Sequence, residues 1–318
     1  QHRFGSRWIS LVATLVMVVA VGNYLLAHMM AMGRALQGLI PQHSHNAYVY
    51  GVILLALIIV VYETMGGFRA VAWTDMIQGS ILLVGLLVLL GLVCYYVGTP
   101  ASATRKLMAS GPESVAKVVP PDAERCREWL SYIVVVGVGG ALYPQAIQRI
   151  YAARSAATLR RSLAVMAFLP MTACLITVLV GVIAAAYEPG LEAAESDKIL
   201  TVVCRQIQQQ SLFGRWFVAV LFAAILAAVM STADSVLLSI SSMLTKDLYG
   251  RFARPQASQR ELALVGKICS WATIAVAVHL AIVCRNMTLM QILDRKFDIL
   301  VQLGPAFFLG LHLSLIHI

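Results

Sequence analysis

The sequence predicts an all-α membrane protein built as a single helical bundle. Of its 318 residues, 60% are hydrophobic and 12% are charged, whereas soluble globular domains carry about 25% charged residues. Apolar runs of the length that crosses a bilayer, about 17 to 25 residues, recur along the whole chain with no soluble domain between them. Such uniformly apolar runs lack the alternation of a membrane β-barrel, so the spans are expected to be helices.

The spans are predicted in chain order from these apolar runs. We expect eight, at about residues 8–33, 47–62, 71–97, 129–148, 162–187, 216–243, 263–284 and 298 onward, the last of them unfinished. Loops rich in Lys and Arg tend to be cytoplasmic, and the densest short ones are QRIYAARSAATLRR and the segment 244–267. Both fall on one side if the spans alternate, so the first span is expected to run from the cytoplasm outward.

The remaining composition excludes several classes of protein. The net charge of +9 is spread over short loops between spans, which favours orientation signals over a nucleic-acid-binding face. The six cysteines form no CxxC pair, so we expect free thiols rather than a metal cluster or disulfide framework.

Both ends of the chain look atypical. The chain opens on Gln1 and the closing LSLIHI, residues 313–318, resembles the translation of a sequencing adapter. We therefore expect a fragment, with residues 1–312 forming one transmembrane domain and a non-native tail after it.

The fourth span contains an irregular stretch, GVGGALYPQ, residues 137–145. Three glycines and a proline inside a membrane segment predict a broken helix, because each freed backbone group must find a partner or line a cavity. Broken helices are where transporters place binding sites. The alternative is that the glycines serve close helix packing and the proline makes a harmless kink.

The sixth span carries hydroxyl groups along one helical face. On a helix, one stripe collects small and hydroxylic residues, namely Ala228, Ser231, Thr232, Ser235, Ser239 and Ser242. This face is not expected to meet lipid. The adjacent hydroxyls of Ser231 and Thr232 can offer oxygen to a hard cation, for which sodium fits better than a transition metal. The alternative is a packing seam whose hydroxyls bond to their own helix.

Two acids, Asp75 and Asp234, lie within predicted spans. A charge at membrane depth is costly unless it is paired or hydrated, which indicates function unless the residue sits at a span end. Asn23, His28 and Gln78 are polar residues at similar depth, for which interhelical hydrogen bonds are the simpler interpretation.

An enzyme is not predicted. Two intramembrane aspartates could form an aspartyl protease dyad, but neither Asp75 nor Asp234 lies in a GxGD motif. The sequence also lacks an HExxH zinc motif and a phosphate loop ending in GK[ST].

Three long motifs carry a family resemblance. They are MGGFRAVAWTDMIQG (65–79), YPQAIQRIYAARS (143–155) and AAILAAVMSTADSVLLSISSMLTKDLY (223–249), with RFGSR and GPAFFLG as shorter landmarks. In order and spacing the chain resembles the sodium:solute symporters, which include proline, pantothenate and sugar carriers. The resemblance implies a leucine-transporter-like bundle of ten core helices in two inverted five-helix repeats. This chain would hold about core helices 3 to 10 and lack the first two.

The resemblance also implies site residues. The family's sodium site uses an alanine carbonyl and two adjacent hydroxyls that match Ala228, Ser231 and Thr232, with Na+ as coupling ion and no other cofactor. Core helix 1 supplies the other half of that site. Asp75 matches an acid on the sodium exit path. Proline carriers read GYFGQPH at the broken helix, whereas this chain reads GGALYPQ, which leaves Tyr143, Pro144 and Gln145 as candidates for the solute pocket or inner gate.

The implied function is sodium-coupled symport of a small organic solute across the cytoplasmic membrane by alternating access. The solute would be an amino acid, a carboxylate or vitamin, or a sugar, and the partners are sodium and the lipid bilayer, without nucleic acid. One alternative is a sensor domain of a symporter-like histidine kinase, which a kinase domain downstream would favour. Another is a proton-coupled carrier using Asp75 or Asp234.

Overall fold

The computed structural model describes residues 6–39, 44–188 and 199–312, and these ranges are helical apart from short connections. The helices are α1 Arg7–Leu39, α2 Ser44–Tyr96, α3 Pro100–Ala109, α4 Pro112–Val115, α5 Ala123–Ala141, α6 Pro144–Tyr151, α7 Ala156–Tyr187, α8 Ile199–Gln210, α9 Leu212–Ser242, α10 Gln259–Val283, α11 Leu289–Val301 and α12 Gly304–His312, with a π-helix at Met243–Ala253. Within these ranges six segments are long and apolar enough to span a membrane, or seven if α5 and α6 form one bent span. The predicted tail at 313–318 lies outside the described residues.

The predicted second and third spans are joined in one continuous helix. The sequence predicts an interruption between residues 62 and 71, whereas α2 runs through it from Ser44 to Tyr96. No proline lies in this segment, so each backbone N–H can still reach the carbonyl four residues earlier. Two apolar stretches, Asn46–Met65 and Ala72–Tyr96, remain separate candidate spans within this helix.

The predicted eighth span begins differently from what the sequence indicates. In place of one helix from 298 onward, α11 ends at Val301 and α12 begins at Gly304. A capping box at Thr288 and Gln291 fixes the start of α11, because each side chain accepts a backbone N–H that the first turn leaves free. Pro305 suits the first turn of α12, since it has no N–H to donate.

Polar caps mark the starts of several further helices. The side chains of Asp122, Ser155, Ser211 and Ser258 each accept a backbone N–H at the start of α5, α7, α9 and α10 respectively. Such caps satisfy one of the N–H groups that a helix start leaves without a partner. The caps thus separate the long apolar helices from their connections.

Helix α9 runs through two separate hydrophobic cores. Its later half packs against α1, the first part of α2 and α10, through residues such as Val236 and Ile240. Its earlier half packs against the last part of α2, α7 and α8, through residues such as Leu221 and Phe222. The turn that holds Ser231 lies at the edge of the first cluster, where Val229 and Met230 pack against it.

Candidate functional site

A polar cluster lies where α2, α6 and α9 meet. The hydroxyl of Ser231 donates a hydrogen bond to the carboxylate of Asp75. Arg149 of α6 forms an ion pair with the other oxygen of the same carboxylate, and it also donates to Ser235 Oγ at 2.8 Å. The Asp75 side chain is 21% exposed and that of Arg149 is 49% exposed. One carboxylate therefore binds both a hydroxyl of the predicted sodium site and a cation.

The other members of the predicted sodium site lie in the same turn of α9. Thr232 Oγ1 donates to the Ala228 carbonyl at 3.1 Å, which is the bond to its own helix that the packing interpretation expects. A hydroxyl that donates its hydrogen keeps lone pairs for a second partner. The turn thus offers two hydroxyl oxygens and a carbonyl oxygen beside the carboxylate of Asp75, a donor set that suits a hard cation such as Na+.

The hydroxyl stripe of α9 faces protein, as the sequence predicts. Ser235 and Ser239 are buried, and the other four members of the stripe are half-buried. Ser239 donates to Gln148 Oε1 of α6 at 3.1 Å. The stripe is therefore the surface of α9 on which the short helix α6 packs.

The position of Arg149 differs from the sequence-based expectation. It was predicted in a cytoplasmic loop as an orientation signal, but it lies within helix α6 and bonds to two polar side chains. The pair between Asp75 and Arg149 joins residues 74 positions apart, and spacing alone gives no signal for it. Each of the two residues does lie in one of the motifs that carry the family resemblance.

Asp234 lies outside this cluster. It is 1% exposed, and neither of its carboxylate oxygens has a hydrogen-bond partner in the described part of the chain. The nearby charges of Glu63 and Asp75 have the same sign. Asp234 thus lies within a candidate membrane span, and among the described residues it has no basic partner like that of Asp75.

The predicted broken helix is present. The chain bends by 50° between α5 and α6. Tyr143 is the N-cap of α6 and Pro144 is its first residue. Pro144 occupies the first position of α6, where a residue without an N–H loses nothing. Gly139 serves close packing, since a Cβ there would lie 3.0 Å from Phe297 Cδ1 of α11.

The break brings the candidate solute residues against α1 and α11. The Tyr143 ring stacks on Tyr24 with centroids 5.6 Å apart and lies 5.9 Å from Phe297. Pro144 is buried. The Tyr143 hydroxyl and Gln145 Oε1 are buried without a hydrogen-bond partner among the described residues. Two polar groups are thus available for a ligand at the break.

The polar residues of the first and third spans have different surroundings. Asn23 donates to the Ile292 carbonyl of α11 at 2.6 Å, which confirms an interhelical bond. His28 bonds through Nδ1 to the Tyr24 carbonyl of its own helix at 2.8 Å. Gln78 Oε1 is buried without a partner in the described part of the chain.

The sequence gives no signal for the burial of the cation Lys296. Lys296 of α11 is 5% exposed, and its ammonium lies over the ring of Tyr24 at 3.5 Å. The apolar-run criterion left residues 285–297 outside every span, because four charged residues interrupt the segment DRKFD. A search for long apolar runs does not detect an amphipathic helix that buries one charged residue inside a bundle.

Comparison with known proteins decides the family. The model of the sodium:solute symporter family matches residues 1–316. The chain belongs to the sodium:solute symporter family. It is 28% identical to the osmoregulated proline transporter OpuE of Bacillus subtilis (strain 168) over 98% of this chain and 61% of that protein. It is 29% identical to the sodium/proline symporter of Escherichia coli (strain K12) over 87% of this chain and 54% of that protein.

Another similar protein is named for a different solute, and a solved structure establishes the fold. The sodium/pantothenate symporter of Haemophilus influenzae (strain ATCC 51907 / DSM 11121 / KW20 / Rd) is 29% identical over 68% of this chain and 43% of its own length. The solved structure of a Na+-coupled sialic acid symporter, in a substrate-bound outward-open state, matches with a TM-score of 0.60 and 21% identity over 94% of this chain and 64% of that one. The present chain is a multi-pass helical membrane protein with a leucine-transporter-like fold, and it spans less than two thirds of the length of each protein named here. The assignment of its spans to core helices 3 to 10 stays a prediction.

Proposed function

We propose that the protein uses inward sodium movement to drive uptake of a small organic solute across the cytoplasmic membrane by alternating access. The observation that carries the proposal is the polar turn of α9, in which Ser231 and the Ala228 carbonyl offer oxygens beside the carboxylate of Asp75. Its membership of a family with named sodium symporters supports the same coupling ion. Sodium entry would gain about 2.3 kcal/mol per charge for each 100 mV of membrane potential.

The geometry suggests how sodium would act at this site. In the structure the carboxylate of Asp75 is shared between the hydroxyl of Ser231 and the guanidinium of Arg149. A sodium ion at Ser231 and Thr232 would be attracted by the same negative charge and would weaken the ion pair between Asp75 and Arg149. Because a ligand shifts a conformational equilibrium only by its different affinity for the two states, sodium would favour the state in which α6 is less tightly tied to α2.

The solute would bind at the break between α5 and α6. Tyr143, Pro144 and Gln145 are the candidates there, and the buried Tyr143 hydroxyl and Gln145 Oε1 have no partners among the described residues. Leaving such groups unpaired is unfavourable, so a polar solute that bonds to them would gain affinity. Transporters of this architecture bind solutes near such breaks.

The sodium site is tested by replacing Thr232 with Val in the full-length protein. Valine keeps the branched shape but removes the hydroxyl oxygen, so we expect the half-saturating Na+ concentration for uptake to rise about tenfold, the usual effect of one lost polar contact. The measurement is the Na+ dependence of solute uptake into proteoliposomes.

A matched control is Thr172 on α7. Its hydroxyl makes the same type of bond to its own helix, to the Phe168 carbonyl at 3.0 Å, but the residue is exposed at the bundle surface. Thr172→Val should leave the Na+ dependence unchanged. If Thr232→Val also leaves it unchanged, the sodium assignment is wrong.

A second candidate function is proton-coupled uptake. The observation that favours it is the burial of both Asp234 oxygens without a hydrogen-bond partner in the described residues, because such a carboxyl group is a candidate proton carrier. Uptake driven by an inward proton gradient without sodium, and lost in Asp234→Asn, would support this alternative. Uptake that needs sodium and survives in Asp234→Asn would exclude it.

A further inference from the structure

Lys296 is a buried cation whose surroundings are aromatic. The residue is 5% exposed. Its Nζ lies 3.5 Å from the ring centroid of Tyr24, 4.6 Å from that of Phe297 and 5.3 Å from that of Tyr143. No ion pair joins it to a carboxylate in the described ranges. The ammonium is therefore held against ring faces in place of an anion.

This arrangement leaves the positive charge incompletely compensated. Removing an ammonium from water without a counter-ion is strongly unfavourable, and contacts with ring faces offset part of that cost. An apolar side chain of similar length would fill the same space without the penalty. Asp294 is a carboxylate whose charge acts on this ammonium, but the two residues form no ion pair in the described ranges. A buried charge held without an ion pair inside a membrane protein indicates a role in binding or transport.

A second hydrogen-bond donor belongs to one of the rings around Lys296. The Tyr143 hydroxyl is buried and has no partner among the described residues, and its ring is one of the three around the ammonium. An ammonium offers up to three hydrogens and a phenol offers one. Donors of this kind at one place match the oxygens of a carboxylate, which only accepts hydrogen bonds.

A groove on the surface borders Phe297, one of the aromatic residues around Lys296. It has a volume of about 640 Å³ and lies between the first half of α5 and α11, with Phe297 on its border. Its lining carries four carboxylates, at Glu124, Glu128, Asp294 and Asp298, and one guanidinium, at Arg127. The net negative charge of this lining repels a bare anion more than a zwitterion. A solute that carries an amine as well as a carboxylate therefore suits the groove best.

We propose that Lys296, assisted by the Tyr143 hydroxyl, binds the carboxylate group of the transported solute. The proposal rests on the function proposed above, because only that function makes the ligand the transported solute. The binding itself can be measured without transport. The rings of Tyr24 and Phe297 flank the ammonium and would also contact the apolar part of the solute.

The test is equilibrium binding to the purified full-length protein in the presence of Na+. The probes are radiolabelled proline, pantothenate and pyruvate, which carry a carboxylate, with galactose and choline, which do not. We expect proline, which also carries an amine, to bind more tightly than the two anions. Lys296→Met should weaken the binding of each carboxylate that binds about 10- to 100-fold, as for the loss of a charge-assisted hydrogen bond. Lys296→Arg should retain most of the affinity.

Arg295 supplies a matched control on the same helix. It is exposed, so Arg295→Met removes the same charge without touching the proposed site and should leave binding unchanged. Equal carboxylate affinity in Lys296→Met and the wild type would overturn the proposal, as would binding of none of the three carboxylates. Carboxylate binding that depends on Lys296 without sodium-driven uptake would uphold this site and contradict the proposed transport function instead.

Discussion

Replacing Asp75 by Asn is expected to raise the half-saturating Na+ concentration about 10- to 100-fold, the range for losing a charged partner. The carboxylate accepts the Ser231 hydroxyl and pairs with Arg149. In the variant the guanidinium keeps its positive charge beside the sodium oxygens, with no carboxylate to balance it. The Na+ dependence of uptake into proteoliposomes measures this effect.

The opposite sign is expected for Arg149→Met. Removing the guanidinium frees one oxygen of Asp75 and deletes a cation that competes with sodium, so the half-saturating Na+ concentration should fall. The double variant should lie between the two single ones, since each change alters the same carboxylate. Arg154, an exposed residue shortly after α6, provides the control variant Arg154→Met, which should have no effect. A raised Na+ requirement in Arg149→Met would show that the pair holds the sodium site together rather than competing with sodium.

Gly139→Val is expected to destabilise the bundle by about 1 to 3 kcal/mol, as overpacking does, and to reduce transport. A Cβ at this position would already lie 3.0 Å from Phe297 Cδ1, and the two methyl groups of valine add further bulk. The Phe297 ring would have to shift, which displaces it from Tyr143. A lower melting temperature in detergent, together with slower uptake, is the expected result.

Gly137 is the matched control for this change. It lies on the same helix and is exposed, and nothing comes within 4 Å of a Cβ placed there. Gly137→Val should therefore leave both the melting temperature and uptake nearly unchanged. If Gly137→Val and Gly139→Val have equal effects, the effect at Gly139 does not come from its close contact with Phe297.

The sequence predicts most of the long helices because crossing lipid requires long apolar runs. It also correctly indicates the break at Tyr143 and Pro144, since a proline cannot continue the backbone bonds of the preceding helix. It is wrong where the deciding interactions are local and polar, as at the capping box of Thr288, which starts α11. The continuity of α2 was missed because hydropathy detects apolar stretches, whereas helix continuity depends on backbone bonds.

The candidate sites are predicted only in part. The hydroxyl pair of Ser231 and Thr232 is visible because both residues lie in one short stretch of α9. Its partner Arg149 and the buried Lys296 are brought in by tertiary packing, and each lies in a segment that its charge assigns to a loop. Charged residues that are buried through packing against another helix leave no periodic signal in a single sequence.

The most direct test of the proposed mechanism is solute accumulation by the full-length protein in proteoliposomes, with an inward Na+ gradient compared with an equal K+ gradient. Radiolabelled proline and pantothenate are suitable first solutes, because similar proteins are named for their symport. We expect accumulation of a solute only with the Na+ gradient, and a much weaker response in Asp75→Asn. Equal uptake with both gradients, or a Na+ response that Asp75→Asn leaves intact, would contradict sodium coupling through the polar turn of α9.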